Sequence, residues 1–196
     1  MRYNGNMMNN TVTYDFEDGA GPVPAHQHSN GGGWVADSTR VVDSAFVGPN
    51  AKVYGNAWVF DHAKVLDNAK VFGNAVVSDA AEVTGAASVS DNASVYGYAL
   101  VTGTASVCDH ARVFGNASVS DNSSVSGNAV VSDNAMVYGN ASVYGAAQVY
   151  GNASVCGYAF VYGNTSVYDN TKVCGSDWVF DYASVCGDAQ VYDPAE

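Results

Sequence analysis

Basic residues are scarce in this chain: Lys and Arg together number 7 among 196 residues, against 19 Asp and Glu, and the formal net charge is −12. Such a balance excludes general binding to nucleic acid or to an anionic membrane surface, since both recruit proteins through positive potential. Charged residues of either sign make up only 13% of the chain, and long apolar runs are missing too. No stretch approaches the roughly 20 apolar residues of a membrane-spanning helix. Met1 to Asn10 are polar and lack the apolar centre of a secretion signal. A cytoplasmic protein is the expectation.

Cysteine and histidine, the usual carriers of metal and nucleophile chemistry, number four each. Cys108, Cys156, Cys174 and Cys186 each follow a Val, and they lack the close paired spacings of a zinc site. Only Cys156 and Cys174 stand 18 apart. The expectation is four small surface residues, with no metal, no disulfide and no cofactor. His26 and His28 alternate on one side of an extended chain, which suits a metal, but two ligands do not make a site.

What the chain has in abundance is one register. Val occupies every sixth position from Val35 to Val191, 27 times, without an insertion. The unit reads N-A-x-V-x-(G/D), as in Asn56-Ala57-Trp58-Val59-Phe60-Asp61. Side chains alternate across a pleated strand, so the Val points inward and its two variable neighbours point outward. Two residues before each Val comes a small residue, usually Ala, where a tight corner leaves little room; Thr39, Ser123, Thr165, Thr171 and Asp177 are departures. Gly or Asp follows each strand, and these residues accept left-handed backbone angles and turn chemistry. Asp37, Asp43, Asp61, Asp67, Asp79 and Asp91 are accordingly read as turn formers that keep the chain soluble. A DNA-mimicking acidic rod is disfavoured, because the acids alternate with Gly and form no continuous rows.

Three six-residue units make an 18-residue triangular coil with Val side chains along a narrow axis, and repetition of this kind decides architecture. Residues 34–196 resemble the hexapeptide-repeat, left-handed parallel β-helix proteins. The Gly32-Gly33-Trp34-Val35 lead-in resembles bacterial and phage members labelled acyltransferases. The resemblance implies an all-β fold of about nine 18-residue coils, roughly 40 Å long at ~4.8 Å per coil. Residues 1–33 form a separate N-terminal segment, turn-rich around Gly19 to Pro24 and Gly31 to Gly33, expected to lie over the first coil as a cap.

Outward-facing residues carry the functional information. Sorted by the 18-residue period, Trp34, Lys52 and Lys70 share one column with Tyr54 and Phe72 beside it. Arg40, Trp58 and Phe60 lie on a second face, and Phe46, Lys64 and Leu66 on a third. The middle is a bland serine region built around Ser88, Ser106, Ser124 and Ser142. Large aromatics return in the C-terminal third, where Trp178, Phe180, Tyr182 and Tyr192 are expected to form contacts.

The resemblance implies several function classes. An acyltransferase of this fold commonly works as a trimer, with a His acting as base and a cofactor lying beneath a loop excursion. Here residues 35–196 contain no excursion, and His62 and His110 are not separated by a multiple of 18. Metal-dependent hydration would require three converging His, which the same shortage disfavours. Ice binding fits the serine ladder in outline, but the ladder lacks threonine methyl groups and is broken beside it by Cys108 and Tyr144. The favoured expectation is a non-catalytic binding or assembly protein. It would self-associate as a homotrimer and bind a host protein or an anionic, nucleotide-like small molecule, with Trp34, Arg40, Phe46, Lys52, Tyr54, Trp58, Phe60, Lys64, Lys70 and Phe72 serving as a subunit interface or as the ligand site. An acyltransferase, or a structural spacer in a virion or appendage, remains the alternative. Resemblance to phage proteins would place such a chain in a host cytoplasm or a virion.

Overall fold

The repeat closes into a parallel β-solenoid in a computed structural model that describes residues 12–191. Tyr192, with Asp193, Pro194 and Glu196, lies outside the described residues. Three sheets run the length of the rod, with 11, 9 and 9 strands, and consecutive strands of the repeat belong to consecutive sheets. Each strand covers a Val and the residue before it. Its neighbours in the same sheet lie 18 residues away, in exact parallel register: Ser94 opposite Arg112, Val95 opposite Val113. We refer to the sheets of Val35, Val41 and Val47 as the first, second and third faces. No helix among the described residues is long and apolar enough to cross a membrane.

The inward Val column behaves as its periodicity dictates. All of its members are buried except Val41, Val185 and Val191, which are partly buried near the two ends of the described rod. Corner alanines such as Ala57, Ala105 and Ala141 are fully enclosed and pack against the Val column in one continuous core. Backbone bonds join each coil to the next at strand and turn alike: Ser94 N donates to Ala111 O at 2.9 Å, Tyr96 N to Val113 O at 3.0 Å, and Tyr98 N to Gly115 O at 2.8 Å.

The acidic turns have a specific role that charge alone did not reveal. Asp61, Asp67, Asp79 and Asp91 adopt left-handed backbone angles, with φ between 53° and 59°. Their side chains reach along the rod. The Asp79 carboxylate accepts the Gly97 N–H at 2.9 Å, and Asp109, Asp121 and Asp133 accept the N–H of Gly127, Gly139 and Gly151 at 2.9 to 3.0 Å. Asp67 accepts both the Gly85 N–H at 3.1 Å and the Thr84 hydroxyl at 2.6 Å, and these bonds hold its carboxyl below the usual carboxylate value. Asn side chains at the following position make parallel ladders, running from Asn116 through Asn134 and Asn152 to Asn170 at 3.0 to 3.1 Å. Asp37 lies in a turn as well, closed by Thr39 N donating to Ala36 O at 3.0 Å, but of a different kind. It has no left-handed angle, and its carboxylate takes His26 Nδ1 at 2.8 Å.

The N-terminal segment is bound to the rod by strand pairing. β1 (Thr13–Tyr14) runs antiparallel to β2 (Val23–Gln27), which runs antiparallel to β3 (Trp34–Ala36), so the first sheet extends into the segment. The Gly31 to Gly33 hinge is sterically required. Gly31 has φ 116°, and a Cβ on Gly31 or Gly33 would collide with the carbonyl of Val47 or of Gly48.

Candidate functional site

The basic and aromatic residues of the first coils are divided among three faces, and on the first face this chain covers them itself. Beyond β1 the segment folds onto the first face. The Tyr14 ring stacks on Trp34 at 4.3 Å, and Phe16, 2% exposed, stacks on Tyr54 at 4.9 Å. Tyr54 stacks in turn on Phe72 at 5.0 Å, with the rings 3° from parallel. Phe16, Ala25, Ala36 and Tyr54 thereby form a second apolar core outside the Val column. Tyr54 therefore does not face solvent as the alternation predicts, and its burial pushes its hydroxyl pKa up. The alternation gives the side of the strand, while an overlying segment decides whether that side is wet.

The same segment neutralises the central cation. Lys52 Nζ lies 2.8 Å from Glu17 Oε2 and 5.4 Å from the Tyr14 ring. The hydrogen bond to Glu17 raises the Lys52 pKa above its ordinary value, and Lys52 holds Glu17 below its own. Lys70 follows Lys52 in the same column, half-buried.

On the second face the Arg40 guanidinium lies 5.5 Å from the Trp58 ring, which meets Phe60 edge-on at 5.4 Å. On the third face Lys64 lies 3.7 Å from Glu82, and Phe46, Lys64 and Leu66 line an open groove with Asn30, Ser44 and His62. The ten residues expected to act together are thus three separate groups. The physical reason is the corner: six residues take the chain to the next face, so residues from neighbouring units point in different directions.

The C-terminal third presents the opposite situation. On the first face Tyr144, Tyr162 and Phe180 form one stacked column, with ring separations of 5.0 and 5.5 Å. Phe160 and Trp178 form the adjoining one at 5.3 Å, and Tyr162 meets Trp178 edge-on at 6.2 Å. Trp178 is 61% exposed and Tyr182, on the following corner, 83%. No described segment covers them. Tyr192, expected in the same group, is outside the described residues.

The remaining polar groups are dispersed. His62 and His110 are exposed on different corners. His28 is buried, its Nδ1 in contact with the Asn30 backbone, while His26 is exposed against Asp37, so the two do not converge. Asp91, Cys108 and Asp109 come together on a corner. Asp91 there accepts the Ser90 hydroxyl at 2.9 Å, and burial raises the Cys108 pKa.

The cysteine reading needs correction. Cys156 and Cys174 are not two independent surface residues; their sulfurs are bonded, with Cα atoms 4.5 Å apart, and Cys156 is buried. Parallel in-register strands place residues 18 apart side by side at a separation that disulfide geometry accepts. The 18-residue spacing was the available signal. For Tyr14, Phe16 and Glu17 no periodic signal existed, because they precede the repeat.

A family model described as the YdcK beta solenoid repeat matches residues 131–145. No curated protein matches the chain. Among solved structures, UDP-N-acetylglucosamine acyltransferase from Campylobacter jejuni is similar at 14% identity and a TM-score of 0.25, over 76% of this chain and 68% of that one. Likeness at this level carries no inference about activity. Its six-residue register and its three parallel sheets make this chain an all-β parallel β-solenoid of about nine 18-residue coils, and the matched segment lies within that repeat.

Proposed function

We propose that the protein is a non-catalytic rod that works by self-association, and that its contact surface is the aromatic ladder of the first face. The carrying observation is the uncovered pair of columns formed by Tyr144, Tyr162 and Phe180 and by Phe160 and Trp178. Exposed aromatic groups of this size are characteristic of contact surfaces. The N-terminal end of the same face supports the reading, because there the corresponding columns are sealed by Tyr14 and Phe16. That cover withdraws Trp34, Tyr54 and Phe72 from a role between chains and leaves the distal ladder as the apolar surface still to be met. A second copy of the chain supplies like surface, and closed cyclic assembly buries it without leaving one copy uncovered. A parallel homotrimer is the form proposed.

Sedimentation velocity on the wild-type chain and on Trp178→Ser/Phe180→Ser tests this. The wild type is expected to sediment as a trimer that the double variant converts to monomer, with the β-structure of both unchanged by circular dichroism. A wild-type chain that stays monomeric across the accessible concentration range would refute the proposal.

A further inference from the structure

Two irregularities fall in the same coil. Corners elsewhere are mostly fully buried alanines. Where another residue replaces Ala earlier in the rod, its polar group is satisfied. Thr39 donates its hydroxyl to Ala36 O at 2.7 Å, and Ser123 donates to Ser120 O at 2.6 Å. Thr165, Thr171 and Asp177 are different. They occupy three successive corners, so one whole coil has no Ala corner. The two threonines are 0% exposed, and Thr165 Oγ1, Thr171 Oγ1 and Asp177 Oδ2 are buried without a hydrogen-bond partner.

Unsatisfied polar groups weaken the layer that contains them. In a stack held by nearest-neighbour contacts, the weakest interface decides where an end segment separates. The coil carrying Thr165, Thr171 and Asp177 meets the rod at its interface with the coil carrying Ala147, Ala153 and Ala159. The Cys156–Cys174 bond crosses it. Cys156 follows Val155 on the earlier coil, Cys174 follows Val173 on the later one, and Cys156 N donates to Val173 O at 2.8 Å beside the bond. Among the described residues it is the one covalent cross-link between coils beyond the main chain, and the other two cysteines, Cys108 and Cys186, are free.

We propose that the Cys156–Cys174 bond is a redox latch: oxidised, it holds the coils from Thr165 onward against the rod; reduced, it lets them open while the preceding coils stay folded. Reduction by a dithiol delivers two electrons and two protons. The Sγ–Sγ bond breaks by thiolate attack through a mixed disulfide, two thiols form on the protein, and the reductant leaves as its own disulfide. Re-oxidation by a small-molecule disulfide runs the same exchange backwards. The stacks of Phe160 on Trp178, Tyr162 on Phe180 and Tyr150 on Tyr168 cross the same interface, so opening dismantles the aromatic ladder. That last consequence rests on the proposed contact surface; the latch does not.

Hydrogen exchange read by mass spectrometry on the whole chain, oxidised and after treatment with dithiothreitol, tests the latch independently of assembly. In the oxidised chain iodoacetamide is expected to label, under denaturing conditions, Cys108 and Cys186 only. On reduction, amides within 165–191 are expected to exchange roughly 100-fold faster, the scale set by releasing a cross-link of this span, while those within 95–137 keep their rates. Restoring the corners in Thr165→Ala/Thr171→Ala/Asp177→Ala is expected to reduce the effect of reduction to less than tenfold. Four labelled cysteines in the chain after oxidation, equal exchange of 165–191 in both states, or an undiminished response in the triple variant would each overturn the proposal.

Discussion

Replacing Val113 by Asp places a carboxylate on the axis of the rod midway along its length. Val113 is fully buried, flanked in its sheet by Val95 and Val131, and lies in a core composed of Val and Ala. Nothing there can donate to it, since the backbone donors of the neighbouring coils are already joined from coil to coil, as in the 3.0 Å bond from Tyr96 N to Val113 O. A buried carboxylate with no partner costs several kcal/mol even after it takes up a proton. Loss of the Val side chain adds about 1.5 to 3 kcal/mol of burial. Their sum is comparable to the about 5 to 15 kcal/mol that holds a typical domain. Because each coil is stabilised by its neighbours, the loss spreads in both directions. We expect Val113→Asp to lose its cooperative urea transition and its β-type circular dichroism. Val113→Thr, which keeps the shape and adds one unsatisfied hydroxyl, should fold with a loss of about 1 to 3 kcal/mol. A soluble Val113→Asp chain with the wild-type spectrum and midpoint would refute the placement of the Val register on the axis.

Phe16→Ala removes the ring that seals Tyr54 and is expected to cost about 3 kcal/mol locally, releasing residues 12–27 to limited proteolysis while the solenoid resists; equal protease resistance of that segment would show that Phe16 does not hold it. The Glu17–Lys52 pair gives the same cover a pH window. Glu17 is held below its ordinary value by Lys52, so its contribution is present above the ordinary Glu range and is lost as pH falls through the lowered value. The Lys52 pKa is raised, chiefly by Glu17, so its contribution is present below the ordinary Lys range and is lost as pH rises through the raised value. Proteolysis of the segment should therefore be slowest at intermediate pH, and Glu17→Gln should flatten that profile. Asp67 follows the Glu17 sign: Thr84 and then Gly85 hold its carboxyl low, so acid below the usual carboxylate range removes its support. In Asp67→Asn the thermal midpoint should fall less as the pH is lowered than in the wild type, as followed by circular dichroism.

The uninterrupted Val register was enough by itself to set the fold, the three faces and the coil count. Six residues from Val to Val, with a small corner and a turn residue between, permit one way of burying every Val, and an 18-residue spacing then fixes which residues stack. That is why the columns of Trp34 with Lys52 and of Tyr54 with Phe72 were legible, along with the side of the strand each occupies. Exposure was not legible. Tyr54 and Tyr144 hold equivalent positions in the repeat, yet Tyr54 is buried and Tyr144 is 38% exposed. The difference comes from Tyr14, Phe16 and Glu17, which precede the repeat, and whose position depends on antiparallel pairing of β2 with β3 rather than on any period. The turn acids show the same division. Their left-handed geometry followed from residue type, but their bonds to the backbone of the next coil required the stacking distance. The Cys156–Cys174 link likewise needed two coordinates that sequence supplies only in part: 18 residues put both on one column, and the tertiary structure brought their sulfurs together at an interface whose buried threonine hydroxyls and aspartate oxygen lack partners.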